Sequence, residues 1–226
     1  MKMKRKVITA LLAATMVASL AVGCGNKGGD SKSDSSKSSS SDEITIGFSQ
    51  VGAESDWRTA NSESMKSTFS EKNGYKLIFD DAQQKQENQI TAIRNFIQQD
   101  VDYIVLAPVT ETGWDTVLKE AKDADIPVII VDRMIDVSDD SLYTAWVGSN
   151  FKMEGQKACE WLNAYAEAKG MKEVNIAHIQ GTIGASAQIG RTEGLEEAAK
   201  EYGWNIVAQQ TGEFTQAKDR KLWSLC

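Results

Sequence analysis

The chain has 226 residues, 41% of them hydrophobic, which is enough for one complete domain and part of a second. Its formal net charge of −7 argues against nucleic acid or an anionic lipid surface as the main partner. Three cysteines and one histidine supply neither a disulfide framework nor the ligands of most zinc sites, so we expect no metal and no cofactor.

The N-terminal residues are typical of an export signal. Four basic residues within the first six positions are followed by an apolar run over residues 7–22. Small residues directly before Cys24 are typical of a lipoprotein signal, in which cleavage leaves that cysteine for acylation, although Ala21 stands where such signals usually carry Leu. We therefore predict a signal peptide over residues 1–23 and lipidation at Cys24. An ordinary signal peptide is the alternative, whereas so short an apolar run disfavours a membrane anchor.

Residues 25–42 consist mainly of Ser, Lys, Gly and Asp. This composition cannot bury enough apolar surface to order itself, so residues 24–42 are predicted to be a lipid-anchored, disordered tether. A lipid on Cys24 and this tether would hold the folded part at the outer face of the cell membrane, or in a periplasm, without spanning the membrane.

From residue 43 onward, apolar runs alternate with amphipathic stretches. The predicted strands are at residues 44–49, 76–79, 103–107, 128–131, 143–147, 174–179 and 205–208. The predicted helices are at residues 84–99, 114–124, 151–168 and 188–201, with a further helical pattern after residues 52–58. This alternation predicts right-handed βαβ units and a parallel sheet. The unbroken apolar runs at 104–107 and 128–131 are expected of strands covered on both faces, so the fold class is α/β, doubly wound.

The loop at residues 52–58 follows the first strand and carries Trp57 and Arg58. In open parallel sheets, ligands bind in the crevice beyond the carboxyl ends of the strands. An indole offers a flat apolar face and a guanidinium offers a rigid fork of donors, which together suit a small polar ligand with one less polar side. The alternative is a Trp packed on the sheet and an Arg at a solvated helix start.

Two further candidates follow other strands. Asp132 and Arg133 come directly after the strand at 128–131, and an acceptor-only carboxylate beside a five-donor guanidinium can span two vicinal hydroxyl groups. A mutually satisfied ion pair that holds the loop is the alternative. Arg191 follows the Gly-rich turn after the strand at 174–179 and is either a second contact from the other side of the crevice or a solvated helical residue.

Taken together, these loops resemble a known family. The stretches that match are GFSQVGAESDWR (47–58), DAQQKQENQI (81–90), LAPVTETGWDTVLKEAKDADIPVIIVDR (106–133) and QGTIGASAQIGR (180–191). They resemble the sugar-binding proteins of ABC importers, the two-lobed type I periplasmic binding protein family, and in particular its galactofuranose-binding branch. The resemblance covers about residues 44–215.

The resemblance implies a receptor that closes two α/β lobes on one monosaccharide and delivers it to an ABC transporter permease. It implies an N-terminal lobe at residues 43–149 and a partial C-terminal lobe at 150–226, since family members continue beyond this length. The implied ligand-binding residues are Trp57, which would stack on the sugar, Arg58, Asp132 and Arg133 from the first lobe, Arg191 from the second, and, in matching motifs, Glu54, Ser55 and Gln83.

Other functions remain open on the sequence alone. A sugar-sensing subunit for a membrane kinase or chemoreceptor would share the fold and the export signal. An exported carbohydrate-active enzyme is disfavoured, because the sequence offers no catalytic triad, metal set or isolated carboxylate pair. We therefore expect a binding protein without catalytic residues.

Overall fold

The computed structural model describes residues 43–224. The predicted signal peptide, Cys24 and the tether lie outside the described residues. Within residues 43–224, no helix combines the length and the apolar character that crossing a membrane requires.

A five-stranded parallel sheet forms the first lobe. Its strands are β1 (Ile44–Gln50), β2 (Tyr75–Asp81), β3 (Tyr103–Leu106), β4 (Val128–Asp132) and β5 (Ala145–Gly148), in the spatial order β2-β1-β3-β4-β5. The helices are α1 (Asp56–Thr68), α2 (Gln86–Gln98) and α3 (Asp115–Asp123), with short 3₁₀ turns at Glu71–Asn73 and Asp140–Leu142. The strand order reverses between β1 and β3, and such a reversal opens a crevice at the carboxyl ends of the strands.

The core of the first lobe lies on both faces of β3 and β4. On one face, Phe96 of α2 and Leu118 of α3 pack with Ile104 and Trp114, all of them buried. On the other face, Phe48 packs with neighbouring apolar side chains of β1 to β4 and α1. The structure therefore confirms that β3 and β4 are covered on both faces, as their unbroken apolar sequences predict.

The second lobe is built on two parallel strands. It comprises α4 (Phe151–Ala168), β6 (Asn175–Gln180), α5 (Ser186–Tyr202), β7 (Asn205–Thr211) and α6 (Gln216–Trp223). Helices α4 and α5 pack closely, and Gly194 permits this, since a Cβ there would lie 2.8 Å from the Lys152 carbonyl oxygen. Beneath them, Cys159, Leu195 and Trp204 form a small buried core against the sheet.

The same backbone geometry recurs at the end of the second strand of each lobe. After β2, Gln83 and Gln84 have φ of 53° and 61°, and after β7, Glu213 and Phe214 have φ of 54° and 60°. The first residue of each loop also donates its N–H to the last residue of the neighbouring parallel strand. Ala82 donates to the Gln50 carbonyl oxygen of β1, and Gly212 donates to the Gln180 carbonyl oxygen of β6. The first two strands of each lobe thus belong to the same kind of βαβ unit, β1-α1-β2 in the first lobe and β6-α5-β7 in the second.

The structure corrects several predicted boundaries. Trp57 and Arg58 lie in the first turn of α1 rather than in a loop, because Ser55 caps that helix by accepting a hydrogen bond from the Arg58 N–H. The strand predicted at 143–147 begins only at Ala145. The strands β2 and β7 end at Asp81 and Thr211, later than their predicted ends at residues 79 and 208. Helix α6 is not among the predicted elements, since only three of its eight residues are apolar.

Gly148, at the end of β5, is expected to tolerate no side chain. A Cβ there would overlap the carbonyl oxygen of Asp132 on the neighbouring strand. Gly148→Ala should lower the free energy of unfolding by about 1–3 kcal/mol, because the two strands must separate. Urea denaturation would measure this, with Ala145→Ser at an exposed position of the same strand as the control. A midpoint equal to that of the control would contradict the prediction.

Candidate functional site

A cavity of about 350 Å³ opens beyond the carboxyl ends of the strands, between the loops of the two lobes. Its lining consists of Glu54, Ser55, Trp57, Arg58, Asp132, Arg133, Ser149, Phe151, Glu154, Ala187, Arg191, Phe214 and Asp219. Every ligand-binding residue predicted from the sequence is among them except Gln83. The Gln83 side chain is exposed, because its left-handed backbone and the hydrogen bond from its N–H to Asp81 Oδ1 belong to the separate turn after β2.

Arg58 is the central fixed charge of the cavity. It is 3% exposed, and each of its three guanidinium nitrogens meets a protein acceptor. Nε lies 3.3 Å from Glu54 Oε1, Nη1 lies 3.2 Å from Gln50 Oε1, and Nη2 lies 2.9 Å from Asp132 Oδ2. The alternative interpretation, in which Arg58 is a solvated residue at the start of a helix, is therefore wrong. Its guanidinium holds two carboxylates in place at the bottom of the cavity.

Glu54 carries an unpaired acceptor. Its side chain is 2% exposed, and among the described residues its Oε2 atom has no hydrogen-bond partner, although Oε1 is paired with Arg58. A buried carboxylate oxygen without a donor costs about 1–3 kcal/mol or more. A hydroxyl group of a ligand, or a water molecule, placed in the cavity would supply that donor. Glu54 is thus the strongest local indication that the cavity binds a ligand that donates a hydrogen bond.

Asp132 sits at the end of β4 in a left-handed backbone conformation, with φ of 64°. Asp adopts this conformation more readily than most residues, but it is uncommon at the end of a strand, and such geometry concentrates at functional sites. The Trp146 Nε1–H donates to the Asp132 carbonyl oxygen at 3.3 Å. This contact, together with the Arg58 ion pair, turns the carboxylate toward the cavity rather than along the sheet.

Arg133 is the second buried guanidinium. It is 3% exposed, its Nη1 donates to the Val109 carbonyl oxygen at 3.1 Å, and its Nη2 lies 3.9 Å from Glu54 Oε1. Burial, together with the nearby positive charge of Arg58, lowers the pKa of the Arg133 guanidinium to about 10. It remains charged at neutral pH and offers donors to the cavity.

Aromatic rings bound the cavity on several sides. Trp57 is 57% exposed, with its ring 4.8 Å from Arg58 Cζ, so it does not pack in the core. The ring of Phe214 lies 5.0 Å from Arg133 Cζ. On the second lobe, Arg191 donates from Nε and Nη2 to Glu154 Oε2 at 3.1 and 2.9 Å, with its Cζ 5.0 Å from the ring of Phe151.

Of the second-lobe lining, only Arg191 is predicted from the sequence. Phe151 and Glu154 come from the first turn of α4, where no motif marks them. Phe214 follows β7 at a strand end, and an aromatic residue at that position was the signal that could have found it. Ser149, Ala187 and Asp219 carried no sequence signal.

The cavity therefore offers carboxylate acceptors, guanidinium donors and apolar ring faces. Within residues 43–224, no group of three or more His, Cys, Asp or Glu side chains is placed to hold a metal ion. Hydroxyl groups both donate and accept, and the C–H face of a polyol is apolar. Such a ligand matches every surface that the cavity presents.

Comparison with known proteins agrees with this geometry. A sequence profile described as "Periplasmic binding protein domain" matches residues 46–223. The chain belongs to this family. Its α/β fold with parallel sheets, predicted from the sequence, is confirmed by the match to solved structures of type I periplasmic binding proteins.

Individual relatives bind sugars according to their names. The chain is 48% identical over 180 residues to the galactofuranose-binding protein YtfQ of Escherichia coli (strain K12), covering 79% of this chain and 55% of that protein. It is 35% identical to the fructose import binding protein FruE of Bifidobacterium longum (strain NCC 2705), over 72% of this chain and 49% of that protein.

A solved structure is similarly close. The periplasmic binding protein component of the arabinose ABC transporter from Shewanella sp. ANA-3, bound to α- and β-L-arabinofuranose, is 52% identical with a TM-score of 0.73. The match covers 79% of this chain and 58% of that one. The chain thus spans about half the length of the curated relatives it matches.

Proposed function

We propose that the protein is an extracytoplasmic solute-binding protein that captures a monosaccharide in furanose form between its two lobes. The observation that carries the proposal is one cavity that contains both an exposed indole, Trp57, and a buried oxygen of Glu54 that has no hydrogen-bond partner among the described residues. The indole receives the C–H face of a sugar, and the carboxylate receives one of its hydroxyl groups.

The other lining residues take complementary roles in this proposal. Asp132 accepts a hydroxyl hydrogen, and Arg133 and Arg191 donate from the two lobes. Arg58 holds these groups in place through its ion pairs with Glu54 and Asp132. Ser55 does so by capping α1. A ligand that touches both lobes stabilises their closed arrangement in proportion to its preference for it.

The preference for a furanose rests on relatives. The Escherichia coli relative is named for galactofuranose, and the Shewanella structure contains arabinofuranose. We further propose that the bound sugar is delivered to the permease of an ABC importer, because the Shewanella relative is a component of an arabinose ABC transporter. The lipoprotein-like residues before Cys24 support anchoring at the outer face of the membrane.

A thermal-shift experiment tests the proposal. The chain would be heated with and without L-arabinose, D-galactose, D-fucose or D-ribose, each of which contains furanose forms at equilibrium. At a ligand concentration of 100 times Kd, binding to the native state adds about 2.7 kcal/mol, which raises the melting temperature by roughly 5–10 °C. The expected result is a shift with at least one of these sugars and none with a sugar phosphate. A cooperative transition that no sugar shifts would contradict the proposal.

A further inference from the structure

Two hydrogen bonds join the lobes at the rim of the cavity. The Glu111 N–H, in the loop after β3, donates to the Gly184 carbonyl oxygen of the second lobe at 2.8 Å. The Met134 N–H, in the loop after β4, donates to Ser186 Oγ at the start of α5 at 2.9 Å. Both donors belong to the backbone of the first lobe, and both acceptors belong to the second.

The junction is ordered on each side. Ser186 is 7% exposed, and Gly184 has φ of 84°, a left-handed conformation that Gly adopts without strain. Within the first lobe, the Asp136 N–H donates to the Glu111 carbonyl oxygen at 2.7 Å, so the loops after β3 and β4 are tied to each other. A movement that breaks one bond across the lobes is therefore transmitted to the other.

The junction also adjoins the cavity in sequence. Met134 follows Arg133, and Ser186 precedes Ala187, and both of these neighbours line the cavity. The bond from Met134 to Ser186 thus fixes the backbone beside a buried guanidinium of the first lobe against a helix of the second.

Carboxylates lie beside this junction on both lobes. The Glu111 carboxyl lies near Asp136 of its own lobe and Glu193 of α5. Burial, followed by the charges of these two carboxylates, raises the pKa of Glu111. On the second lobe, Lys152 of α4 lies 4.0 Å from Glu193 and 2.6 Å from Glu197. The two hydrogen bonds therefore join the lobes beside a pair of like charges, Glu111 and Glu193, one from each lobe.

We propose that Ser186, with Gly184, forms an interlobe latch that holds the cavity closed and so sets the affinity for the ligand. Ser186 acts as a positioning residue that needs no contact with the ligand. Loss of one of the two hydrogen bonds is expected to lower the closed population about 2- to 10-fold. Only the affinity part of this proposal rests on the proposed function. The latch itself is a property of the ligand-free chain.

Hydrogen exchange of the ligand-free protein tests the latch directly. In Ser186→Ala, the Met134 amide loses its acceptor, and its exchange should accelerate about tenfold or more. The Glu111 amide keeps its own acceptor, yet it should also exchange several-fold faster, because the lobes separate more often. The Ile104 amide, bonded to Pro127 within the first lobe, should keep its protection and so report that the fold is intact.

Matched variants complete the test. Ser186→Thr keeps a hydroxyl at the same position and should preserve both protected amides. Ser67→Ala removes an exposed serine whose hydroxyl bonds only locally, to the Ser64 carbonyl oxygen, and should change neither. Unchanged exchange at Met134 in Ser186→Ala, or acceleration at Met134 without Glu111, would overturn the latch.

The ligand experiment separates the two proposals. With L-arabinose, Ser186→Ala should bind about 3- to 10-fold more weakly than the wild type, with an unchanged preference among sugars. If the wild type binds no sugar, the proposed function fails, while hydrogen exchange still decides the latch. Affinity equal to the wild type, despite faster exchange at both amides, would overturn the link between latch and affinity.

Discussion

Asp132→Asn is expected to weaken sugar binding by about 100-fold, which corresponds to about 2.7 kcal/mol. The carboxylate is 16% exposed and bonds Arg58 at 2.9 Å, so it serves both the protein and, in the proposed function, a hydroxyl group of the sugar. An amide is a weaker acceptor than a carboxylate, and its NH₂ group would face the buried guanidinium of Arg58. Isothermal titration with the sugar identified by thermal shift would measure the change.

The choice of Asn separates charge from backbone strain. Asp132 has a φ of 64°, and Asn tolerates this left-handed conformation about as well as Asp, whereas Ala would add strain of its own. Asp100→Asn is the matched control, because Asp100 is also left-handed, with φ of 51°, but lies exposed on the surface. The control should leave both affinity and stability unchanged.

Asp132→Asn should also lower the free energy of unfolding by about 1.5–3 kcal/mol, since Arg58 loses one of its two ion-pair partners. Affinity and stability therefore fall together in this variant, but not in the control. Stability that falls without any loss of affinity would show that the Asp132–Arg58 pair is only structural. The mutual Asp132–Arg133 pair that the sequence left open is not formed, since Asp132 pairs with Arg58 and Arg133 lies near Glu54.

The fold could be predicted because its signals are local and repeated. The unbroken apolar runs of β3 and β4 identify strands covered on both faces, and the alternation with amphipathic helices identifies a parallel sheet. Strand ends were less certain, because the length of β2 or β7 depends on pairing with a neighbouring strand rather than on the strand's own sequence. Helix α6 lacks an apolar face and so gave no periodic signal.

The candidate site could be predicted only where strand ends carry unusual residues. Asp132 follows an apolar run directly, Trp57 follows the loop after β1, and the topology of a parallel sheet brings such positions to one edge. The partners of Arg58 could not be inferred in this way, because Asp132 is 74 positions away and the distance of 2.9 Å depends on how the loops pack. Likewise, the unpaired oxygen of Glu54 becomes visible only when every neighbouring donor is placed.

The cavity residues contributed by the second lobe were the least predictable part of the site. Phe151 and Glu154 enter the cavity because α4 begins directly after β5, and a helix start gives no indication of the direction its side chains take. Ser186 lies in a stretch of small residues that resembles many turns. Its contact with Met134 depends on the arrangement of two lobes, which a single sequence does not encode in any local pattern.

Trp57→Ala should weaken sugar binding by about 30-fold, which corresponds to about 2 kcal/mol, and should leave the stability of the ligand-free protein within about 0.5 kcal/mol. The two effects separate because the indole is 57% exposed before the sugar arrives. Its apolar face is covered only when a C–H face of the sugar stacks on it, so its removal costs binding rather than folding.

Trp161→Ala is the control for this prediction. Trp161 is 67% exposed on α4, where it stacks on Tyr165 with ring centroids 5.5 Å apart, and it does not line the cavity. Titration of both variants with the same sugar should show a loss of affinity at Trp57 alone. An equal loss in the two variants would indicate a general effect of removing a surface indole. Unchanged affinity in Trp57→Ala would show that the indole does not contact the ligand. The proposed sugar ligand would then rest on Glu54 without Trp57.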